Sequence, residues 1–178
     1  MAKTQRSQAF PRPLLPHNLK ITIYNSQRDL PLSKSHLRKV VSFLLNELKI
    51  STNEIIFHFV SERKICLVHK EYFNDPTSTD CITFPINPPS KKKPSFHLLG
   101  EAFICPKVAL EYALAHQIDP QEELLRYVVH CLLHLIGYDD IQAADRLKMK
   151  KKENQCLKRL TQEGLFWRIW PRQRTNRG

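Results

Sequence analysis

Acidic residues are scarce in this chain. Seventeen Asp and Glu face 28 Lys and Arg, for a formal net charge of +11 over 178 residues. An excess of that size favours a polyanionic partner, nucleic acid ahead of a membrane surface. Long apolar runs are missing too. No stretch approaches the ~20 residues needed to cross a bilayer, so no membrane partner is expected. Met1 to Pro16 is polar and broken by proline, without the apolar core of a secretory signal. The five cysteines are odd in number and none stands in a Cys-x-x-Cys pair. That excludes a disulfide framework and predicts reduced, mostly buried thiols in a cytoplasmic protein. There is no internal repeat and no second set of apolar segments. At 42% hydrophobic content, the chain is long enough for one domain with a core and too short for two.

What is present is concentrated in residues 130–140, His-Cys-Leu-Leu-His-Leu-Ile-Gly-Tyr-Asp-Asp. They end an apolar helical run that begins near Pro120, which suits a first helical turn. Four helical residues turn through about 400°, so His130 and His134 stand on one face, one turn apart. Gly137 falls where a helix C-terminus takes a left-handed residue. The chain can then fold back and offer Asp140 as a third ligand. Two His and one carboxylate with an open fourth position is a catalytic zinc pattern. The other reading makes the histidines satisfied core residues and the aspartates caps of the next helix; in the metal reading, Asp139 keeps that capping role. Cys131 sits about 100° around the helix from His130 and points away from the metal.

The rest of the pattern predicts strands at 19–24, 54–60, 79–85 and 100–105. Helices are expected over 32–50, capped by Ser33 or Ser35, then over 61–72, 106–116 and 141–160. Residues 1–17 form a flexible arm, 18–162 a single domain and 163–178 a basic tail with Trp167 and Trp170. Between the third and fourth strands, residues 86–97 carry three prolines and Lys91-Lys92-Lys93, an exposed loop. The expected fold class is α+β: a small mixed four-stranded sheet packed with about five helices, one of them a zincin-like metal helix.

Three segments in this order resemble the YbeY family of bacterial endoribonucleases. They are His130-x3-His134-x2-Gly137-Tyr138-Asp139, Thr79-Asp80-Cys81-Ile82-Thr83-Phe84-Pro85, and Leu99-Gly100-Glu101 followed by Ile104-Cys105. The resemblance runs from about residue 20 to 160. It implies a mixed-sheet α+β fold, one zinc ion, and a cytoplasmic role on ribosomal RNA and ribosomal subunits. That role is maturation of the small-subunit RNA 3′ end and ribosome quality control. Two positions depart from the family pattern. Asp140 replaces the usual third histidine ligand, and Phe73 replaces an arginine that follows the tyrosine upstream of Thr79.

The expected chemistry is phosphodiester cleavage, with His130, His134 and Asp140 as metal ligands and His130, His134 and Glu101 in the catalytic set. Asp80 is the alternative to Glu101 as base or as a partner to a ligating histidine; strand-end capping is the other use for both. Two further functions are weighed. A zincin-type peptidase would place a glutamate base after the first histidine, where this chain has Cys131. A ribosome- or RNA-binding factor would use the metal structurally. For RNA, Lys91-Lys92-Lys93 and the 146–152 cluster supply phosphate contacts, and the tail tryptophans stack on unpaired bases.

Overall fold

A computed structural model describes residues 18–87 and 96–166. The arm, the lysine run 91–93 and the tail tryptophans fall outside these residues. The elements are β1 (Lys20–Asn25), α1 (Lys34–Glu47), β2 (Glu54–Phe59), α2 (Glu62–Phe73), β3 (Cys81–Pro85), β4 (Leu98–Ile104), α3 (Pro106–His116), α4 (Pro120–Leu135) and α5 (Ala143–Gln162). The sheet order is β1-β2-β4-β3. β1, β2 and β4 run parallel, and β3 pairs antiparallel with β4. The fold is α+β with a mixed four-stranded sheet and, among the described residues, five helices, as the sequence pattern predicts. No helix there is long and apolar enough to cross a membrane.

Element ends differ from the sequence pattern by one to three residues, for local reasons. α1 stops at Glu47, two residues before Lys49 takes a left-handed φ of 56°. β3 begins at Cys81, because the Asp80 carboxylate turns back to accept the Cys81 N–H at 2.8 Å. Ser33 caps α1, accepting from the His36 N–H.

Alternation along the strands gives the sheet two different faces. Ile55, Phe57 and Phe59 of β2, with Leu99, Ala102 and Ile104 of β4, face the main core with α1, α4 and α5. Ile82, Phe84 and Phe103 face the other way, against Ile65 and Val68 of α2.

α4 is the helix around which the core forms. Twelve of its sixteen residues are buried; the four that are not are Glu122, Arg126, His130 and His134. These recur every fourth residue, so an otherwise buried helix shows a single polar stripe. Each fully buried Leu or Val contributes about 1.5–3 kcal/mol of transfer free energy, which holds the stripe in one orientation.

Gly100 lets α4 sit close. The β2–β4 register slips between Glu54↔Leu98 and Ile56↔Glu101, so β4 carries an extra residue there. A Cβ on Gly100 would lie 2.5 Å from the Phe84 carbonyl oxygen and 2.7 Å from Leu135 Cδ2. One obstacle is backbone and the other is the residue after His134. Gly100→Ala should therefore destabilise the fold by about 1–3 kcal/mol, as overpacking does. Urea unfolding measures it, and an unchanged midpoint would contradict this packing.

Candidate metal centre

The end of α4 is built so that its last turn orients a side chain. Ile136 is the C-cap and Gly137 follows with φ 94°, a value that favours glycine. The Gly137 N–H bonds the His134 carbonyl and the Tyr138 N–H bonds the Leu133 carbonyl, both at 3.0 Å. This is a Schellman motif. The Tyr138 carbonyl in turn accepts from His134 Nδ1 at 3.0 Å. The Asp139 carboxylate then takes the N–H groups of Asp140 and Ile141 at 2.7 and 3.2 Å. Asp139 therefore fixes the turn rather than capping α5, whose N-cap is Gln142. Arg146 Nε and Nη2 donate to the carbonyls of Asp140 and Ile141 at 3.0 and 3.2 Å. The returning segment that carries Asp140 is thus held on both sides.

These contacts bring the three predicted ligands together. His130 Nε2 and His134 Nε2 lie 3.0 Å apart. Asp140 Oδ2 is 3.8 Å from His130 Nε2, and Oδ1 is 3.8 Å from His134 Nε2. The tautomers follow from the outer partners. His134 Nδ1 faces a carbonyl, and His130 Nδ1 faces Glu153 Oε1 at 2.6 Å. Neither acceptor has a proton to give, so both Nδ1 atoms are the donors. In the neutral rings both Nε2 atoms then carry lone pairs. Two lone pairs and a carboxylate converge on one point, an arrangement that calls for a cation. The separations suit donors around one ion with bonds of about 2.0–2.2 Å, so these residues fit a metal.

Local charge agrees. Burial opposes charging of His130, but its hydrogen bond to Glu153 and the negative charges of Glu153, Asp80 and Asp140 outweigh this and raise its pKa. Glu153 is a buried carboxylate on α5, reached also by Arg126 Nη1 at 3.9 Å. Arg126 is held by Asn154 at 3.1 Å and Glu123 at 3.4 Å. A carboxylate behind a ligating histidine fixes its ring and raises its basicity.

Other predicted residues land differently. Glu101 is not brought to the histidines. The pleat sends it to the opposite sheet face, where it bonds His58 Nε2 at 2.9 Å. Asp80 does line the cleft. Its Oδ1 accepts from Thr79 Oγ1 and the Cys81 N–H, and with Cys81 and His130 it forms a second close group of possible ligand atoms. The neighbouring Cys131 side chain and burial push the Cys81 thiol pKa well up. Cys131 is fully buried and offers no base in the position a peptidase would use. Phe73 is 58% exposed, packs on His69 and does not line the cleft. Sequence reasoning missed Glu153. Its signal was a lone carboxylate within a basic run, spaced to share the α5 stripe with Met149, Cys156, Leu157 and Leu160.

A family model described as Endoribonuclease YbeY matches residues 22–161. A Protochlamydia amoebophila protein named Endoribonuclease YbeY is 40% identical over 146 residues, covering 82% of this chain and 96% of its own. One from Chlamydia pneumoniae with the same name is 41% identical over 143 residues, covering 78% and 89%. A solution structure of a Thermotoga maritima protein superposes with a TM-score of 0.58 at 22% identity, covering 82% of this chain and 91% of that one; at that identity it speaks to the fold alone.

Proposed function

The chain belongs to the YbeY family of endoribonucleases, and from that membership we propose that it is a zinc-dependent endoribonuclease of ribosomal RNA. In this reading it matures the 3′ end of the small-subunit RNA and acts in ribosome quality control in the cytoplasm, on ribosomal RNA and ribosomal subunits. One domain over residues 18–162 carries the activity.

The observation that supports it is the convergence of His130 Nε2, His134 Nε2 and the Asp140 carboxylate, with both imidazole tautomers set by outside acceptors. One zinc ion held there would supply Lewis acidity toward a phosphodiester oxygen. The protein's own part is positional. Glu153 and the Tyr138 carbonyl keep the imidazoles aimed, and Arg146 holds the turn that presents Asp140. Asp80, in the cleft beside His130, is the residue assigned to accept a proton; Glu101 would reach this chemistry only by leaving His58. A carboxylate ligand puts one more negative charge on the ion than a third histidine would, which lowers its pull on phosphate.

The test is metal analysis of chain purified without chelator or a nickel column, followed by incubation with an RNA spanning the mature small-subunit 3′ end. One zinc per chain is expected, with internal cleavage lost on chelation and restored by zinc. Cleavage that persists in chelated, metal-free protein would refute the zinc-dependent reading.

A further inference from the structure

The metal centre opens into a cleft of about 720 Å³, within the range of small-ligand sites. Its floor is the α4 stripe with Arg126 and His130. One wall is α5, where Arg146, Lys150 and Asn154 follow each other at four-residue spacing and so share an edge of the helix. Another part of the lining is the loop 78–80 with Tyr112 of α3.

The three cations lining this cleft are not equivalent. Arg126 is committed to Asn154, Glu123 and Glu153. Arg146 spends its guanidinium on the Asp140 and Ile141 carbonyls. Lys150 is exposed on α5 and, among the described residues, its ammonium makes no hydrogen bond or ion pair. Asp80, Asp140 and Glu153 line the same cleft, yet Lys150 pairs with none of them. Tyr112, on the same lining, is 44% exposed. One face of its ring lies on His116, with centroids 3.9 Å apart and planes 21° apart. That contact braces the ring, and Tyr112 keeps exposed surface for a partner. A free ammonium on α5 and a braced, half-exposed aromatic on α3 match the two recognisable parts of an unpaired nucleotide.

We propose that the cleft seats one unpaired nucleotide of a single-stranded RNA, its phosphate on Lys150 Nζ and its base against the Tyr112 ring. This rests on reading the site as one that acts on RNA, and it names the residues that hold the strand across the metal centre.

The two contacts leave different signatures. Each phosphate contact on a single strand adds about 0.7 to the slope of log affinity against log salt, whereas stacking adds almost nothing. A single-stranded RNA of roughly ten nucleotides is titrated onto the full chain at several salt concentrations, and its intact length is verified after each run. Lys150→Ala should weaken binding several-fold at low salt and reduce the slope by about 0.7. Tyr112→Leu should weaken binding about tenfold with the slope unchanged. Lys150→Arg and Tyr112→Phe should bind as the unaltered chain does. Lys39→Ala, which removes the same charge from α1 outside the cleft, should change neither quantity. If Lys150→Ala and Tyr112→Leu both behave like Lys39→Ala while the unaltered chain binds RNA, the subsite is wrong and the nuclease reading stands. If the unaltered chain does not bind RNA even at low salt, both fall together.

Discussion

In His134→Ala protein the metal content should drop from one equivalent per chain to a small fraction of that, and RNA cleavage should fall at least a hundredfold. Losing one preorganised electrostatic contact to a transition state costs about 10²–10³-fold, and here the whole centre is lost. His134 is the cleaner choice of the two imidazoles. Its Nδ1 partner is a backbone carbonyl, so its removal orphans no buried charge, and alanine is a strong helix former. The fold should survive, with a melting temperature near that of the unaltered chain stripped of metal. His130→Ala should lose metal equally but also lose stability, because Glu153 is buried and would give up its 2.6 Å donor; an orphaned buried acceptor costs about 1–3 kcal/mol. Metal analysis, circular dichroism and a cleavage time course separate these effects. Full zinc content in folded His134→Ala protein would place the ion elsewhere.

Glu153→Gln should weaken zinc binding about 10- to 100-fold, the usual consequence of altering a partner behind a ligating histidine. The amide keeps the volume and can still accept from His130 Nδ1, but it takes away the negative charge that makes the ring a better ligand. Glu153→Ala should be worse on two counts: the ring loses its tether and Arg126 loses one of its two carboxylates. Competition against a chelating dye gives the affinities. If both variants hold zinc as tightly as the unaltered chain, Glu153 is only a buried ion-pair partner of Arg126 and the tautomer argument for His130 fails.

The sequence carried the fold well where one local rule decided the outcome. Pro106 and Pro120 open α3 and α4, Ser33 caps α1, and the alternation of Ile55, Phe57 and Phe59 marks the buried face of β2. His130 and His134 were legible because helix geometry alone places them together, and Asp140 because Gly137 announces the turn. Glu101 was misplaced for the lack of long-range information. Its face depends on the extra β4 residue and on which helix packs where, neither of which is written in Leu-Gly-Glu itself. Glu153 lies 23 residues from the imidazole it orients. Only the antiparallel packing of α5 on α4 makes them neighbours, and along the sequence the carboxylate was hidden among lysines. Asp139 failed as a cap for a subtler reason. Its side chain satisfies the two amides that follow it, a local alternative that short acidic residues often take over helix capping.

The Schellman turn has a kinetic consequence. The peptide unit of Tyr138 closes the last turn of α4 with its N–H and restrains His134 with its carbonyl. Unwinding that turn and releasing the imidazole are therefore one event, not two in sequence. Helix ends fray far more often than whole domains open, and an untethered ligand on such an end would let its ion escape at the fraying rate. With an ion bound by His134, each fraying attempt would also have to break the bonds to it, so occupancy of the site would quiet the helix end and the quiet helix end would prolong residence of the ion.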